Sequence, residues 1–185
     1  MPTGRNDNLD RKMLQTFLHR AGWFFLLLAL QVLIFNHIHI AGYAVPMPYV
    51  YFLLILSSET PRRTYLVASF AMGLAIDLFI NTPGLCAASL CLCGLVAPWL
   101  LSLFRHGEKD DDDFFPSVRT MKWSGFMLYA LALTFLHCLT LFTIEYFSLS
   151  HSGLLLINVA SSTALTLIII AILEFIRHGG RAQED

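Results

Sequence analysis

Asp77 is an acidic residue well inside a long apolar stretch, which makes it the strongest candidate for chemistry in this sequence. Burying a charge in lipid is costly, so an ionisable residue at membrane depth generally marks a functional or polar contact. A proton or cation pathway needs a partner at depth, yet no Lys or Arg lies within a hydrophobic segment. Because the turn 81–84 follows, we expect the Asp77 carboxylate to reach water or to cap backbone amides there. A structural or interface role is favoured over transport.

Histidines and cysteines give no convincing metal or redox site. His137 and Cys138 are neighbours on a predicted helix, so their side chains point about 100° apart and do not converge. His37 and His39 can bind a metal together only if the end of their helix frays, and we interpret them as interfacial polar residues. No cysteine pair has the spacing of a zinc or redox motif. The four cysteines are therefore expected to be small packing residues: Cys86, Cys91, Cys93 and Cys138.

The sequence also lacks the motifs of an enzyme. It contains no GxSxG, no HExxH and no phosphate-binding loop. An intramembrane enzyme would need paired acids or a similar cluster at one depth, whereas Asp77 stands alone. Glu145 and Glu174 are expected near the ends of hydrophobic segments, where water is close and their charge is ordinary. We predict no catalytic residue, no cofactor and no metal.

The positions of the basic residues predict how the chain crosses a membrane. All 12 Lys and Arg residues fall into four clusters, at 5–20, 62–63, 105–122 and 177–181. Basic residues collect on the cytoplasmic side, so clusters separated by pairs of apolar segments predict about six helices with both termini inside. The 56% apolar content and mean hydropathy of +0.64 agree with an all-α polytopic membrane protein. A net charge of -1 argues against nucleic-acid binding.

Six segments follow from this pattern, and the second is short. We predict an N-terminal cytoplasmic segment 1–20, one membrane domain 21–176 with a cytoplasmic loop at about 105–122, and a cytoplasmic tail 177–185. The first segment is expected to be an uncleaved span rather than a secretory signal. The second provides only about 16 Å of helix, so it is predicted to cross while surrounded by protein. The predicted helices are about 21–39, 48–58, 64–80, 85–104, 123–144 and 154–176.

Small and polar residues recur at helical spacing. Small residues let helix backbones approach closely in lipid, which predicts a tight hairpin of the third and fourth helices. Polar residues on the fifth and sixth helices are expected to form hydrogen bonds between helices. Tryptophans are expected at the inner interface. The small residues of the hairpin are Ser69, Gly73 and Asp77 on the third helix and Ala87, Cys91, Gly94 and Pro98 on the fourth. The polar residues are Thr134, His137 and Thr140 on the fifth helix and Asn158, Ser162 and Thr166 on the sixth. The tryptophans are Trp23, Trp99 and Trp123.

An acidic run, Asp110–Asp113, lies in the predicted cytoplasmic loop. Four consecutive carboxylates lack the alternating ligands and the turn glycine of a calcium loop. The run is expected to be a solvated linker, and a docking contact for a basic partner is the alternative.

A motif in the hairpin resembles a known family. Its residues are Phe70, Gly73, Leu74, Asp77, Phe79, Thr82, Pro83, Gly84, Leu85, Ala87, Ala88 and, further on, Pro98. This pattern resembles the central motif of the rod shape-determining protein MreD family. Gln31, Asn36, Pro46-x-Pro48-Tyr49 and Pro61-Arg62 also resemble that family in order and spacing. The resemblance covers about the first hundred residues, and the second half agrees only in length and hydropathy.

The resemblance implies a non-enzymatic scaffold of bacterial cell elongation and peptidoglycan synthesis, located in the inner membrane. Its implied partners are MreC, RodA, a class-B penicillin-binding transpeptidase and MreB filaments, besides membrane lipid and a second copy of the chain. Gly73, Asp77, Pro83, Gly84 and Pro98 are the expected structural or interface motif. The family also implies a fold similar to the substrate-binding subunits of energy-coupling-factor vitamin transporters.

That fold similarity supplies an alternative function, a substrate-binding transporter subunit. Such a subunit should present a polar pocket on the outer side with convergent ligand groups. Asn36, His37 and Glu145 are the residues expected to line it.

Overall fold

Six helices make up the described part of the chain in a computed structural model, which describes residues 3–37, 44–56, 60–104, 118–146 and 152–181. No strand occurs among these residues. The helices are α1 Thr3–Leu33, α2 Tyr51–Leu54, α3 Arg62–Ile80, α4 Leu85–Phe104, α5 Val118–Tyr146 and α6 Ser152–Arg181. A short 3₁₀ helix, Phe35–His37, follows α1, and another, Pro48–Val50, precedes α2.

Five of the described helices are long and apolar enough to cross a membrane. A bilayer core of about 30 Å needs about 20 apolar residues in a helix. The five spans are Leu14–Leu33, Arg62–Ile80, Leu85–Phe104, Met121–Tyr146 and Gly153–Arg177. This is the architecture of a helical, multi-pass membrane protein.

Several helix ends differ from their predicted positions, among them ends of α1, α5 and α6. α1 begins at Thr3, so most of the predicted N-terminal cytoplasmic segment is helical, and its apolar span starts at Leu14 rather than near residue 21. α5 begins at Val118 but is interrupted at Lys122, whose φ is 58°. α6 continues to Arg181, into the predicted tail.

The bundle has two ends that can be defined by contacts. Arg20 donates a hydrogen bond to Thr60 (3.2 Å), which brings the first half of the α1 span close to the entry of α3. We call this the Arg20 end. A cavity brings together residues from the ends of α1, α3 and α5 and the starts of α4 and α6, Glu145 among them. We call this the Glu145 end.

The second segment is the buried centre of the bundle. Every described residue from Met47 to Leu56 is buried, and so is Ala44. The helical part is only seven residues, Pro48–Leu54, which rises about 10 Å. It is therefore shorter than the predicted helix 48–58, and non-helical residues 44–47 precede it.

Side chains of α6 hold the non-helical residues. The Val45 N–H donates to Ser162 Oγ (3.0 Å) and the Met47 N–H donates to Thr166 Oγ1 (3.0 Å). From Val45 to Met47 the segment advances two residues, while its partners on α6 advance four, which is a rise of about 6 Å. A rise of about 3 Å per residue is that of extended backbone. Irregular backbone at membrane depth is tolerated when protein groups satisfy it, and these hydroxyls do so.

The segment runs antiparallel to α1 along its apolar length. Gln31 Nε2 donates to the Pro46 carbonyl (3.4 Å), and the Phe24 and Phe52 rings meet edge to face at 5.5 Å. The Arg20–Thr60 hydrogen bond lies beyond them. The contacts at Gln31 and at Arg20 are eleven residues apart on α1, which is about 16 Å of helix. The segment therefore passes from the Glu145 end to the Arg20 end.

Candidate functional site

The Asp77 carboxylate caps the start of α4. Its Oδ1 accepts hydrogen bonds from the Cys86 N–H (2.9 Å) and the Thr82 hydroxyl (3.0 Å), and its Oδ2 accepts one from the Ala87 N–H (2.9 Å). Asp77 is only 3% exposed. A negative group at a helix N-terminus satisfies unpaired amides and is favoured by the helix dipole. The predicted capping of backbone amides is confirmed, and it explains how a buried carboxylate is held without a Lys or Arg.

Gly73 sets the distance between α3 and α4 near this cap. A Cβ added to Gly73 would lie 2.5 Å from the Ala87 Cα and 2.7 Å from the Cys86 carbonyl oxygen. Both are backbone atoms, so a side chain at residue 73 would push the helices apart. The predicted close approach through Gly73 and Ala87 is confirmed.

A second close contact lies one to two turns further from the cap. A Cβ on Gly94 would overlap the Ser69 hydroxyl and lie 3.0 Å from the Tyr65 carbonyl oxygen. Cys91 and Pro98 were predicted on the same contact face, but both are only partly buried. The buried face of α4 instead follows the helical period through Ala87, Leu90, Gly94, Ala97 and Leu101.

The turn between α3 and α4 has two left-handed residues. Asn81 ends α3 with φ 60° and Gly84 has φ 86°. Nothing lies within 4 Å of a Cβ built on Gly84, so its requirement for glycine is conformational rather than steric. Pro83 is exposed between them. Pro98 lies inside α4, where the Gly94 carbonyl loses its usual intrahelical donor.

A cavity of about 260 Å³ lies at the Glu145 end. Asn36 and Glu145, two of the three residues expected in a polar pocket, line it, and the side chain of the third, His37, is outside the described set. Further lining residues are Gln31, Tyr49, Tyr146 and Asn158. The cavity walls are thus a mixture of polar groups and apolar side chains.

At the cavity wall, Tyr49 of the 3₁₀ helix Pro48–Val50 connects the second segment to α5. Its hydroxyl lies 2.8 Å from His137 Nε2, with the two rings edge to face at 5.2 Å. His137 is fully buried, so the expectation of a hydrogen-bonded buried histidine is confirmed. Its partner is the second segment rather than another long helix.

The polar residues of α6 mostly serve this segment too. Ser162 and Thr166 accept from its backbone, whereas Asn158 reaches a neighbouring long helix, where its Nδ2 lies 2.6 Å from the Tyr146 hydroxyl. The predicted hydrogen bonds between helices are therefore mainly bonds from α6 to irregular backbone. Thr140 of α5 bonds the Leu136 carbonyl of its own helix.

Glu174 was wrongly expected to lie near water. It is fully buried, and its Oε2 accepts hydrogen bonds from the Tyr51 hydroxyl and from Arg177 Nη1 (3.4 Å). Arg177 also forms an ion pair with it three residues along the helix. That i,i+3 spacing was visible in the sequence and could have indicated the pair.

An apolar groove of about 290 Å³ lies between α1 and α3 at the Arg20 end. Phe24, Phe25 and Val67 line it together with the small residues Ala68 and Ala71. Small residues on a lipid-facing surface allow a further helix to approach closely.

Within the described residues, no group of three or more His, Cys, Asp or Glu side chains is placed to hold a metal ion. Cys86, Cys93 and Cys138 are buried and Cys91 is partly buried, and none of the four forms a disulfide. His39 and Asp110–Asp113 lie outside the described residues. The predictions of no metal, no cofactor and no catalytic residue stay predictions.

Fold and site together define a class, a helical multi-pass membrane protein with a capped α3–α4 hairpin and a buried second segment. Compared with protein-family models, with curated proteins and with solved structures, the chain matches none of them. The resemblance to the MreD family therefore stays a prediction that rests on the hairpin motif.

Proposed function

We propose that this chain is a non-enzymatic scaffold of the bacterial cell-elongation machinery and acts with MreC in the inner membrane. The observation that carries the proposal is the α3–α4 hairpin. The motif residues Gly73, Asp77 and Gly84 have specific roles there: close helix contact, capping of α4 and a left-handed turn. Because both oxygens of the Asp77 carboxylate already accept hydrogen bonds, the motif suits a rigid structural core better than a reaction centre.

The proposal includes six crossings with both termini in the cytoplasm. Contacts from Gln31–Pro46 to Arg20–Thr60 support a crossing by the second segment, since they carry it along the apolar length of α1. With that crossing, Arg20, Arg62 and Arg177 belong to the Arg20 end, which is the cytoplasmic side. The Glu145 end then faces outward.

The proposed partners bind to lipid-facing helix surfaces, where a partner helix would replace lipid. Lipid offers no hydrophobic drive between helices, so association rests on close packing and hydrogen bonds. The groove between α1 and α3, with Ala68 and Ala71 in its wall, suits the membrane helix of MreC or a second copy of the chain. RodA, the transpeptidase and MreB are further proposed members of the assembly.

The test is affinity purification from native membranes with identification of the partners. We expect MreC and other elongation proteins to be recovered with the wild-type chain. Gly73→Leu should reduce MreC recovery and rod growth, because it separates α3 from α4. Gly153→Leu is the matched control, since a Cβ there meets nothing within 4 Å. Wild-type MreC yield and rod growth with Gly73→Leu would contradict the scaffold proposal.

A second candidate, the substrate-binding subunit of an energy-coupling-factor-type transporter, is favoured by the cavity at the Glu145 end. Asn36 and Glu145 both line it, as that function requires. Recovery of an ATPase module instead of elongation proteins in the same purification would support this candidate. Vesicle uptake that is abolished by Asp77→Asn would also overturn the scaffold.

A further inference from the structure

We propose that the cavity at the Glu145 end binds a small organic amine, with the ammonium group at Glu145 and the carbon skeleton against Leu141 and Phe142. This inference does not rest on the scaffold role, because it concerns the chemistry of the cavity alone. Three properties of the cavity support it: an unpaired acceptor, charge and size.

Two buried amide side chains in the cavity wall each have one unpaired polar atom, and for Gln31 its partner identifies that atom as an acceptor. Gln31 is 2% exposed and Asn158 is 7% exposed. Neither Gln31 Oε1 nor Asn158 Oδ1 has a hydrogen-bond partner among the described residues. Buried polar atoms are nearly always paired, so an unpaired oxygen in a cavity wall indicates a missing donor.

The orientation of Gln31 is fixed by its partner. Its Nε2 donates to the Pro46 carbonyl, which can only accept. A flipped amide would place two acceptors against each other, so the oxygen is the free atom. The side chain therefore calls for a hydrogen-bond donor rather than for an acceptor.

Charge selects a cationic donor. Glu145 lines the cavity and is exposed to solvent, and none of the described lining residues is Lys, Arg or His. The cavity thus has one carboxylate with no opposing cation in its described wall. An anion would meet repulsion from Glu145 and would leave the Gln31 oxygen unpaired.

Size and the apolar walls select an organic amine rather than a metal ion. A volume of about 260 Å³ is close to the small end of ligand pockets. Leu141 and Phe142 contribute apolar surface, and Tyr49 and Tyr146 also line the space. Aromatic rings attract cations, so they add to the preference for an ammonium group.

The experiment measures binding of butylamine, phenethylamine and tryptamine to the full chain in lipid nanodiscs by saturation-transfer NMR titration. Each amine is paired with the alcohol that replaces NH₃⁺ by OH, and empty nanodiscs correct for partition into lipid. We expect at least one amine to bind about tenfold more tightly than its alcohol, since hydrogen bonds to charged groups are the stronger ones.

Variants separate charge from cavity shape. Glu145→Gln should abolish the preference for the amine and leave binding of the alcohol within about twofold. Thr143→Val, which changes an exposed residue of the same helix end, should leave both unchanged. Val45→Phe, which reduces the cavity, should weaken both ligands. The proposal is overturned if no amine binds more tightly than its alcohol, or if Glu145→Gln keeps the preference.

Discussion

The Asp77 side chain shows how one carboxylate can lie inside an apolar bundle. Three donors converge on its two oxygens, and two of them are amides at the start of α4. Those amides would otherwise lack a hydrogen-bond partner within the helix. The carboxylate and the helix start therefore satisfy each other, and the charge also faces the positive end of the helix dipole.

Asp77→Asn is expected to destabilise the protein, and Asp77→Leu to destabilise it more. An amide can keep the Oδ1 contacts to Thr82 and Cys86, but its NH₂ group would face the Ala87 N–H, leaving one donor unpaired. The cost of one unpaired buried donor is about 1–3 kcal/mol. Leu loses all three hydrogen bonds. The midpoint of thermal unfolding in detergent measures the order.

Glu145→Gln is the control for this series, because it makes the same chemical change on an exposed carboxylate. It should leave the midpoint unchanged. Equal midpoints for wild type and Asp77→Leu would contradict the capping account. In cells, the scaffold account predicts that Asp77→Asn keeps most rod growth and that Asp77→Leu does not.

At the residue level, the sequence predicted the role of Asp77 but not the environment of Glu174. Asp77 could be interpreted because a turn follows it within four residues, so the amides it caps are local. Glu174 could not be placed, because its burial depends on Tyr51, which is distant in the chain and arrives with the second segment. The unpaired oxygen of Gln31 likewise depends on the position of Pro46.

At the level of elements, the α3–α4 hairpin is held by backbone proximity. Gly73 meets Ala87 and Gly94 meets Ser69, so the two helices touch where side chains are smallest. Close contact maximises van der Waals attraction in a solvent that gives no hydrophobic drive. The cap at Asp77 then fixes the end of the pair that the turn connects.

Gly73→Ala should lower the stability of the hairpin by about 1–3 kcal/mol, the usual cost of overpacking a filled interface. Its Cβ would lie 2.5 Å from the Ala87 Cα, so backbone must move. Gly153→Ala, in open space on α6, is the matched control and should be neutral or slightly stabilising. Thermal unfolding in detergent measures both. A Gly73→Ala midpoint equal to the control's would mean that the helices are not in contact there.

The extended residues 44–47 depend on hydroxyls from α6. Thr166→Val removes the acceptor of the buried Met47 N–H while keeping the side-chain shape, so it should cost about 1–3 kcal/mol. Thr143→Val is the control, because the Thr143 hydroxyl is exposed and bonds its own helix at the Leu139 carbonyl. The same unfolding assay applies. If both variants lose equal stability, the segment is not held in this way.

Sequence predicted the hairpin better than the second segment for a physical reason. Gly73 and Asp77 follow the period of one helix, and Ala87 lies only a short turn further along the chain. The second segment has an apolar run too short for a spanning helix, and its extended start is fixed by Ser162 and Thr166 more than a hundred residues away. Hydropathy predicted its burial but not its backbone.

At the level of the whole molecule, the second segment decides which side each loop occupies. Five long helices are present among the described residues, and an odd number of crossings would place the two termini on opposite sides. The proposed sixth crossing, by the second segment, would put the four basic clusters on one side, as the positive-inside tendency favours. It would also put the cavity at Glu145 on the other side.

The central claim is therefore that the chain returns through the membrane between residues 42 and 62, and reporter fusions test it most directly. Reporters that distinguish the two sides of the membrane would be fused after residues 42, 62, 82, 110, 150 and 182. We expect 42, 82 and 150 outside and 62, 110 and 182 inside. A fusion at 62 that reports the outside would contradict the crossing, the orientation of the cavity and the proposed contacts.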